Sequence, residues 1–260
     1  MAELERLPDV RGISVSAPLR WLAGAWGDLW RAPAIFLPYG LIIALAGGSV
    51  TLGLAMTGMA FWSIALAAGF VFVAPILAMG IYEGGRILES GQRPGLGAIA
   101  VVRSAIRGDV ILLGTALLII FGIWLELARV VYGLATSRLD ASLEEFLTFA
   151  VSTPEGHGML AWGTVIGGIL AWFTFCLIVV SAPMLLDTQR DIFIATVTSV
   201  RCVLRNTLPM LVWAAIIAAM ILLSIATGFF ALIVVIPWLG LASWRAYRSL
   251  VVAPGDQNKP

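Results

Sequence analysis

Six long apolar runs constrain this chain more than any other feature of its sequence. The hydrocarbon core of a bilayer is about 30 Å thick, so a helix needs about 20 residues to cross it. Sixty per cent of the residues are hydrophobic and only 12% are charged, which leaves too little polar surface to cover a soluble core. We therefore predict an all-α, polytopic membrane protein with six transmembrane helices. The predicted spans are about 34–57, 59–82, 110–134, 159–186, 208–226 and 229–246.

Shorter segments with an amphipathic pattern precede the first, third and fifth of these spans. They cover about residues 16–31, 96–107 and 188–205. The first contains Trp21, Trp26 and Trp30, and tryptophan prefers the headgroup level of a membrane. We predict that all three segments are helices lying on the membrane surface. The apolar stripe of the last one is formed by Phe193, Val197, Val200 and Leu204.

The order of these segments indicates an internal repeat of three helical hairpins. When Arg31, Arg107 and Arg205 are aligned, each closes an amphipathic segment and is followed by two spans. The second span of each pair contains a proline. We therefore predict three hairpins, each preceded by a cytoplasmic amphipathic helix, with a far-side loop over 135–158 in the middle copy. The three prolines are Pro75, Pro183 and Pro237.

The basic residues predict the orientation, because Lys and Arg concentrate near the cytoplasmic ends of spans. Fourteen of the 16 fall in the termini and the loops on their side, whereas Arg129 and Arg138 fall on the other. We expect both termini to be cytoplasmic, in a bacterial inner membrane, with the basic face binding anionic headgroups. The predicted organisation is a flexible N-terminus over 1–15, one integral membrane domain over 16–252 and a cytoplasmic tail over 253–260.

Two groups of charged or polar residues are candidates for function. Glu126 and Arg129 lie in the third span at i, i+3, which places them on one helix face. Charges within a span are costly and often functional, although this pair also fits an ion pair at the outer headgroups. The second group ends the second span and is either a solvated exit or a docking or gating contact. It consists of Tyr82, Glu83 and Arg86.

No pattern typical of an active site or a metal site occurs in the sequence. His157 is the one histidine, and Cys176 and Cys202 are expected to be free thiols because they fall at different membrane depths. No serine–histidine–acid set, glycine-rich phosphate loop or buried carboxylate pair can be assembled. We predict no catalytic residue, no cofactor, no metal and no enzymatic activity. Because the net charge is only +1, we expect no nucleic-acid partner.

Three blocks of sequence occur in a distinctive order and spacing. They are Pro75–Glu83 with Arg86, then Ala182–Asp187 followed by Ser199–Arg201 and Arg205–Asn206, and finally Pro237–Arg248. Together they resemble a bacterial family of multi-pass membrane proteins, domain of unknown function 2189, over about residues 15–252. The resemblance implies a six-span inner-membrane protein and supplies no activity. It makes Trp244 and Arg248 candidate interaction positions. The family's last block usually has histidines where this chain has Leu241 and Arg245, so no haem or metal role carries over.

Two classes of function remain open. The first is a non-enzymatic accessory, assembly or membrane-organising factor whose candidate partners are anionic headgroups and another membrane protein complex. It is favoured because few spans carry a charge at mid-depth. The alternative is a small-solute or ion transporter or channel, favoured by the repeats, the prolines and the Glu126/Arg129 pair. Because the predicted repeats share one orientation, whereas many secondary transporters use inverted repeats, we expect the first.

Overall fold

The chain is a helical bundle. A computed structural model describes residues 7–100, 102, 107–136 and 142–252, and these residues contain one isolated β-bridge and no strand. Proline opens α2 and α8, where its missing N–H is not needed for helical pairing. The described helices are α1 (Ala17–Arg31), α2 (Pro33–Met56), α3 (Ala60–Leu77), α4 (Met79–Glu89), α5 (Leu96–Ala100), α6 (Gly108–Ala135), α7 (Leu143–Ser152), α8 (Pro154–Ile178), α9 (Ser181–Asp187), α10 (Ile192–Arg205), α11 (Thr207–Ala226) and α12 (Leu232–Leu250).

Five segments of the described chain are long and apolar enough to cross a membrane. They are α2, α3, α6, the pair α8 and α9, and α11. The prediction of an all-α protein with several transmembrane helices is therefore confirmed. The sixth predicted span, 229–246, is not among the five segments. It corresponds to α12, which carries Arg245 and Arg248 in its last two turns.

Two of the predicted spans are each divided into two helices. The span predicted over 59–82 is interrupted at Ala78, and the span predicted over 159–186 is interrupted between Ile178 and Ser181. Proline explains the second interruption, because Pro183 has no N–H to donate to the carbonyl four residues earlier. Each of these two predicted spans thus consists of a long helix followed by a short one.

The central element of the bundle is α12. It packs against α1, α2 and α4, and most of its side chains are buried. The approach to α2 is so close that a side chain at Gly40 would overlap the backbone carbonyl of Ile233. Only glycine permits this contact between the two helix backbones. Helix α12 is therefore a core element of the bundle.

Two tight turns connect α2 to α3 and α11 to α12. In the segments 54–59 and 224–229, the last N–H donates to the first carbonyl, over 2.9 Å and 2.7 Å respectively. The turns contain Gly58 and Gly228, whose φ angles are +76° and +60°. Both are Schellman-type helix ends, in which a left-handed residue lets the chain reverse. The turn between α2 and α3 therefore has a close counterpart between α11 and α12.

The two ends of the described chain lie side by side. Val10 and Val251 form an antiparallel bridge, flanked by a 2.8 Å hydrogen bond from the Arg11 N–H to the Leu250 carbonyl. The side chain of Asn206 accepts from the Ile13 N–H at 2.8 Å and donates to the Arg11 carbonyl at 3.0 Å. Residues 7–15 thus have defined partners, which differs from the flexible segment predicted over 1–15.

The three segments predicted to be surface helices are helical in part. Helix α1 matches the prediction closely, and α10 begins at Ile192 rather than at 188. Helix α5 covers only 96–100, and most of the remainder of the predicted helix over 96–107 lies outside the described residues. The far-side loop contains α7, whose first turn is capped by Ser142 and Glu145.

Candidate functional site

Charged and polar side chains from four helices meet at one end of the bundle, the end that also holds the paired chain ends. We call this region the polar end. It is built around α12, whose last two turns face α1 on one side and α4 and α9 on the other. Its residues are Asp28 of α1, Glu89 of α4, Asp187 of α9, and Trp244, Arg245, Tyr247 and Arg248 of α12.

Glu89 joins α4 to α12 through both of its oxygens. Arg248 donates from Nε to Oε1 at 2.9 Å, and the indole N–H of Trp244 donates to Oε2 at 3.0 Å. The Trp244 ring lies directly over Gly85, where a Cβ would be 3.0 Å from the ring. Arg248 therefore pairs with a carboxylate that lies 159 positions earlier in the chain.

Asp187 receives two groups from the same turn of α12. The hydroxyl of Tyr247 donates to its Oδ2 at 2.7 Å, and a terminal nitrogen of Arg248 lies 3.6 Å from the same oxygen. Asp187 ends the short helix α9, so these contacts fix that helix against α12. Because α8 and α9 are the two parts of one divided span, these contacts also hold the end of that span against α12.

Asp28 joins α1 to α12 and is only 8% exposed. Its Oδ2 accepts from Nε of Arg245 at 2.6 Å, and Arg31 lies 3.7 Å from its other oxygen. A Cβ at Gly24 would lie 2.6 Å from a terminal nitrogen of Arg245, so glycine makes room for the guanidinium against α1. A carboxylate buried in this way needs a cation beside it, and Arg245 supplies it.

Glu83 and Arg86 form a two-point ion pair on α4, with distances of 2.8 Å from Nε and 2.6 Å from a terminal nitrogen. Their exposure differs, since the arginine side chain is 47% exposed and the glutamate 14%. The hydrogen bond to Glu83 raises the pKa of Arg86 above its ordinary value, and the charge of Asp187 adds to this effect. The pair of Glu83 and Arg86, at the predicted end of the second span, therefore lies next to the polar end.

Tyr82 is buried close to the side chain of Ser243. Both residues line a cavity of about 110 Å³ enclosed by α3, α4, α8, α11 and α12. The cavity is otherwise apolar, with a third hydroxyl from Thr174. Val71 and Val179 also line it, and the carbonyl of each is four residues before a proline that cannot donate to it. The three hydroxyls thus give an apolar cavity a few polar positions.

Glu126 and Arg129 form an ion pair of 2.8 Å on the surface of α6. Their side chains are 65% and 50% exposed, respectively. The pair shares a helix face as predicted, but it is not brought together with the other candidate residues. Exposed pairs of this kind contribute about 0–1 kcal/mol to stability.

Five of the seven candidate residues therefore lie at or next to the polar end, and sequence reasoning missed the other residues of this region. The missed residues are Asp28, Glu89, Asp187, Arg245 and Tyr247. Their pairs join residues far apart in the chain, so no local spacing announces them. One usable signal was Asp28, an acidic residue within an otherwise basic or apolar segment. Within the described residues, no group of three His, Cys, Asp or Glu side chains is placed to hold a metal ion.

The long apolar helices and the paired charges at one end define the class of the protein as a multi-pass helical membrane protein. A family model described as "Predicted integral membrane protein (DUF2189)" matches residues 63–187. The matched stretch contains Tyr82, Glu83 and Arg86 and ends at Asp187, so the resemblance predicted from the sequence blocks is confirmed there. No curated protein and no solved structure matches the chain.

Proposed function

We propose that the protein is a non-enzymatic membrane factor that binds another membrane component, helps to assemble it, or organises the lipid around it. The observation that carries this proposal is the apolar surface of α10. Phe193 and Leu204 are 73% and 70% exposed, and Val197 is also exposed, while the opposite face of the helix is buried. A helix anchored on one side with exposed large apolar residues on the other suits a lipid or protein contact.

The finer architecture belongs to the same proposal. We place six crossings in three repeated hairpins, each preceded by an amphipathic cytoplasmic helix, with both termini cytoplasmic in a bacterial inner membrane. Helix α12 has 19 residues and is about 28 Å long, which suits a sixth crossing. The residues between α1 and α2 and between α10 and α11 have similar dihedrals, −146°/56° at Ala32 and −127°/42° at Asn206. This likeness supports the repeat.

The polar end favours a holding role over a catalytic one. Each carboxylate of the polar end accepts from side chains of a neighbouring helix, so its charge is used to join helices. Such pairs fix helix positions. A rigid base of this kind would present α1 and α10, with their basic ends Arg31 and Arg205, to anionic headgroups.

The proposal is tested by a pull-down in mild detergent, with mass spectrometry of the retained proteins and lipids. A variant with Phe193→Ser, Val197→Ser and Leu204→Ser should lose a defined retained component that the native chain keeps. The control is Glu126→Gln, which changes an exposed residue away from α10 and should retain the same set. An identical set from the stripe variant and the native chain would contradict the proposal.

A transporter is the second candidate, and the cavity beside Tyr82 favours it. Both divided spans border the cavity, and interrupted helices are typical of transporter binding sites. Solute uptake into proteoliposomes that contain only this protein would support the transporter. Loss of that uptake in Thr174→Val, with uptake unchanged in Thr115→Val on the exposed face of α6, would assign it to this cavity and overturn the first proposal.

A further inference from the structure

A second and larger cavity, of about 620 Å³, opens between α1, α4 and α12 at the polar end. Its charged lining is predominantly basic, with four arginines against two carboxylates. The carboxylates are Asp28 and Glu89, and the arginines are Arg20, Arg31, Arg245 and Arg248. The excess of two positive charges distinguishes this cavity from the apolar one beside Tyr82. A cavity of this composition suits an anionic ligand.

The hydrogen bonds to the two carboxylates leave some N–H donors of the arginines without an acceptor in these pairs. Arg245 and Arg248 each donate to their carboxylate through Nε, at 2.6 Å and 2.9 Å. A guanidinium has five N–H donors, so a pairing through Nε leaves the two terminal nitrogens to serve other acceptors. Arg248 directs one of them towards Asp187 at 3.6 Å, a distance beyond a good hydrogen bond. Donors for an additional anion therefore remain at the cavity wall.

Arg20 is positioned without being neutralised. Its two terminal nitrogens donate to the hydroxyls of Ser16 and Ser14, each over 2.8 Å. Hydroxyls orient a guanidinium but carry no charge, so the positive charge of Arg20 remains available to a ligand. Arginine side chains around one cavity are groups that commonly bind phosphate oxygens.

The surroundings of the cavity place it at the level of lipid headgroups. Trp21 and Trp244 form its buried aromatic walls, while Trp26 and Trp30 of the same helix α1 are exposed. The Trp26 ring also packs on Trp238 with centroids 4.7 Å apart. Tryptophans concentrated in this way mark the boundary between hydrocarbon and water. An anion reaching this cavity from the bilayer would carry its charge at the headgroup level.

We propose that the cavity between α1, α4 and α12 binds a phosphate group, namely that of an anionic phospholipid headgroup. The proposal rests on the membrane-organising role proposed above and names the lipid chemistry that this role would use. The shared chemistry is a phosphate held by arginine side chains. A soluble phosphate is the other source of the same group, and the experiment separates the two.

The test uses the full-length chain purified in detergent and titrated with phosphatidylglycerol, with phosphatidylcholine in a parallel titration. Native mass spectrometry counts the bound lipids. The native chain should retain phosphatidylglycerol, and Arg20→Gln combined with Arg31→Gln should weaken this binding by on the order of tenfold. The matched control is Arg93→Gln combined with Arg129→Gln, which removes the same charge from exposed positions outside the cavity and should bind like the native chain.

Three results would overturn the proposal. The first is equal retention of phosphatidylcholine. The second is an equal loss in the control variant, which would assign the effect to overall charge. The third is full displacement of the lipid by millimolar inorganic phosphate, which would make the ligand a free phosphate. A thermal unfolding curve for each variant separates lost binding from lost folding. The α10 stripe variant leaves this cavity intact. If that variant showed unchanged lipid binding and an unchanged pull-down, the proposed function would be wrong and the lipid site would stand.

Discussion

The hydroxyl of Tyr247 donates a 2.7 Å hydrogen bond to Asp187, and this bond ties the last helix of the chain to the short helix α9 that completes a divided span. The donor and the acceptor are 60 positions apart. Tyr247 is 3% exposed, so the bond lies where water competes poorly for either partner. It is one of the contacts through which α12 fixes α9.

Tyr247→Phe should therefore lower the free energy of unfolding by about 1–3 kcal/mol, because a buried hydrogen bond to a carboxylate is lost without a change of shape. The effect is measured as the change in stability when the protein, purified in detergent, is unfolded by heating or by a denaturing detergent. Ser249→Ala is the control, since its hydroxyl bonds to the carbonyl of Ala246 within the same helix. Equal stabilities for the two variants would refute a special role for the contact with Asp187.

The ion pair between Asp28 and Arg245 should show coupling in a double-mutant cycle. The singles are Asp28→Asn and Arg245→Gln, and the double combines them. Because the Arg245 side chain is 41% exposed, we expect a coupling energy near 1 kcal/mol rather than the larger values of buried pairs. Effects that simply add would mean that the pair does not hold α1 on α12.

The contact between α2 and α12 gives a prediction with a control on the same helix. Gly40→Ala places a methyl group into the backbone carbonyl of Ile233, so we expect a loss of about 1–3 kcal/mol in stability. Gly47→Ala adds a methyl where nothing lies within 4 Å, and alanine favours the helix by up to about 1 kcal/mol. The two variants should therefore change the unfolding midpoint in opposite directions or, at the least, by clearly different amounts. A harmless Gly40→Ala would rule out the close approach.

Burial raises the pKa of the Cys202 thiol to about 12, against about 8.5 for an exposed cysteine. Above about pH 8.5 the unfolded chain releases a proton that the native thiol keeps, so stability should fall as the pH rises from there towards 12. At pH 8.5, Cys202 should resist a maleimide in a Cys176→Ser background and react once the protein is unfolded. Mass spectrometry of the labelled peptide reports both states, and rapid labelling of the native protein would refute the buried thiol.

Glu126→Gln should leave the unfolding midpoint almost unchanged, within about 0.5 kcal/mol, because the pair with Arg129 is exposed. The measurement is the same unfolding curve used for Tyr247→Phe. A large loss would show that Glu126 meets a partner other than Arg129, and would restore it as a functional candidate.

The positions of the long helices follow from the sequence because a crossing needs a minimum apolar length. The spans predicted over 34–57 and 208–226 agree with α2 and α11 within one residue at each end. Apolar side chains facing lipid and apolar side chains facing protein have the same composition, so the pattern alone cannot say which helix is central. For this reason α12 was predicted as one span among six rather than as the core of the bundle.

The polar end was harder to predict than the helices. Arg248 was selected from a sequence block, but its partner Glu89 lies on a helix with which it has no local relationship. Pairs such as Asp28 with Arg245 arise from the three-dimensional arrangement of helices, and the sequence spacing of 217 gives no hint of them. The prolines were visible in the sequence, whereas the place at which a helix is interrupted depends on which carbonyl loses its hydrogen-bond donor.

The bridge between Val10 and Val251 also constrains how many times the chain crosses the bilayer. Two segments joined by backbone hydrogen bonds must lie on the same side, and a path that starts and finishes on one side has an even number of crossings. Five apolar segments make an odd number, and a crossing by α12 restores the parity. This requirement supports the proposed sixth crossing, and in that proposal the turn at 224–229 lies across the bilayer from the bridge between Val10 and Val251.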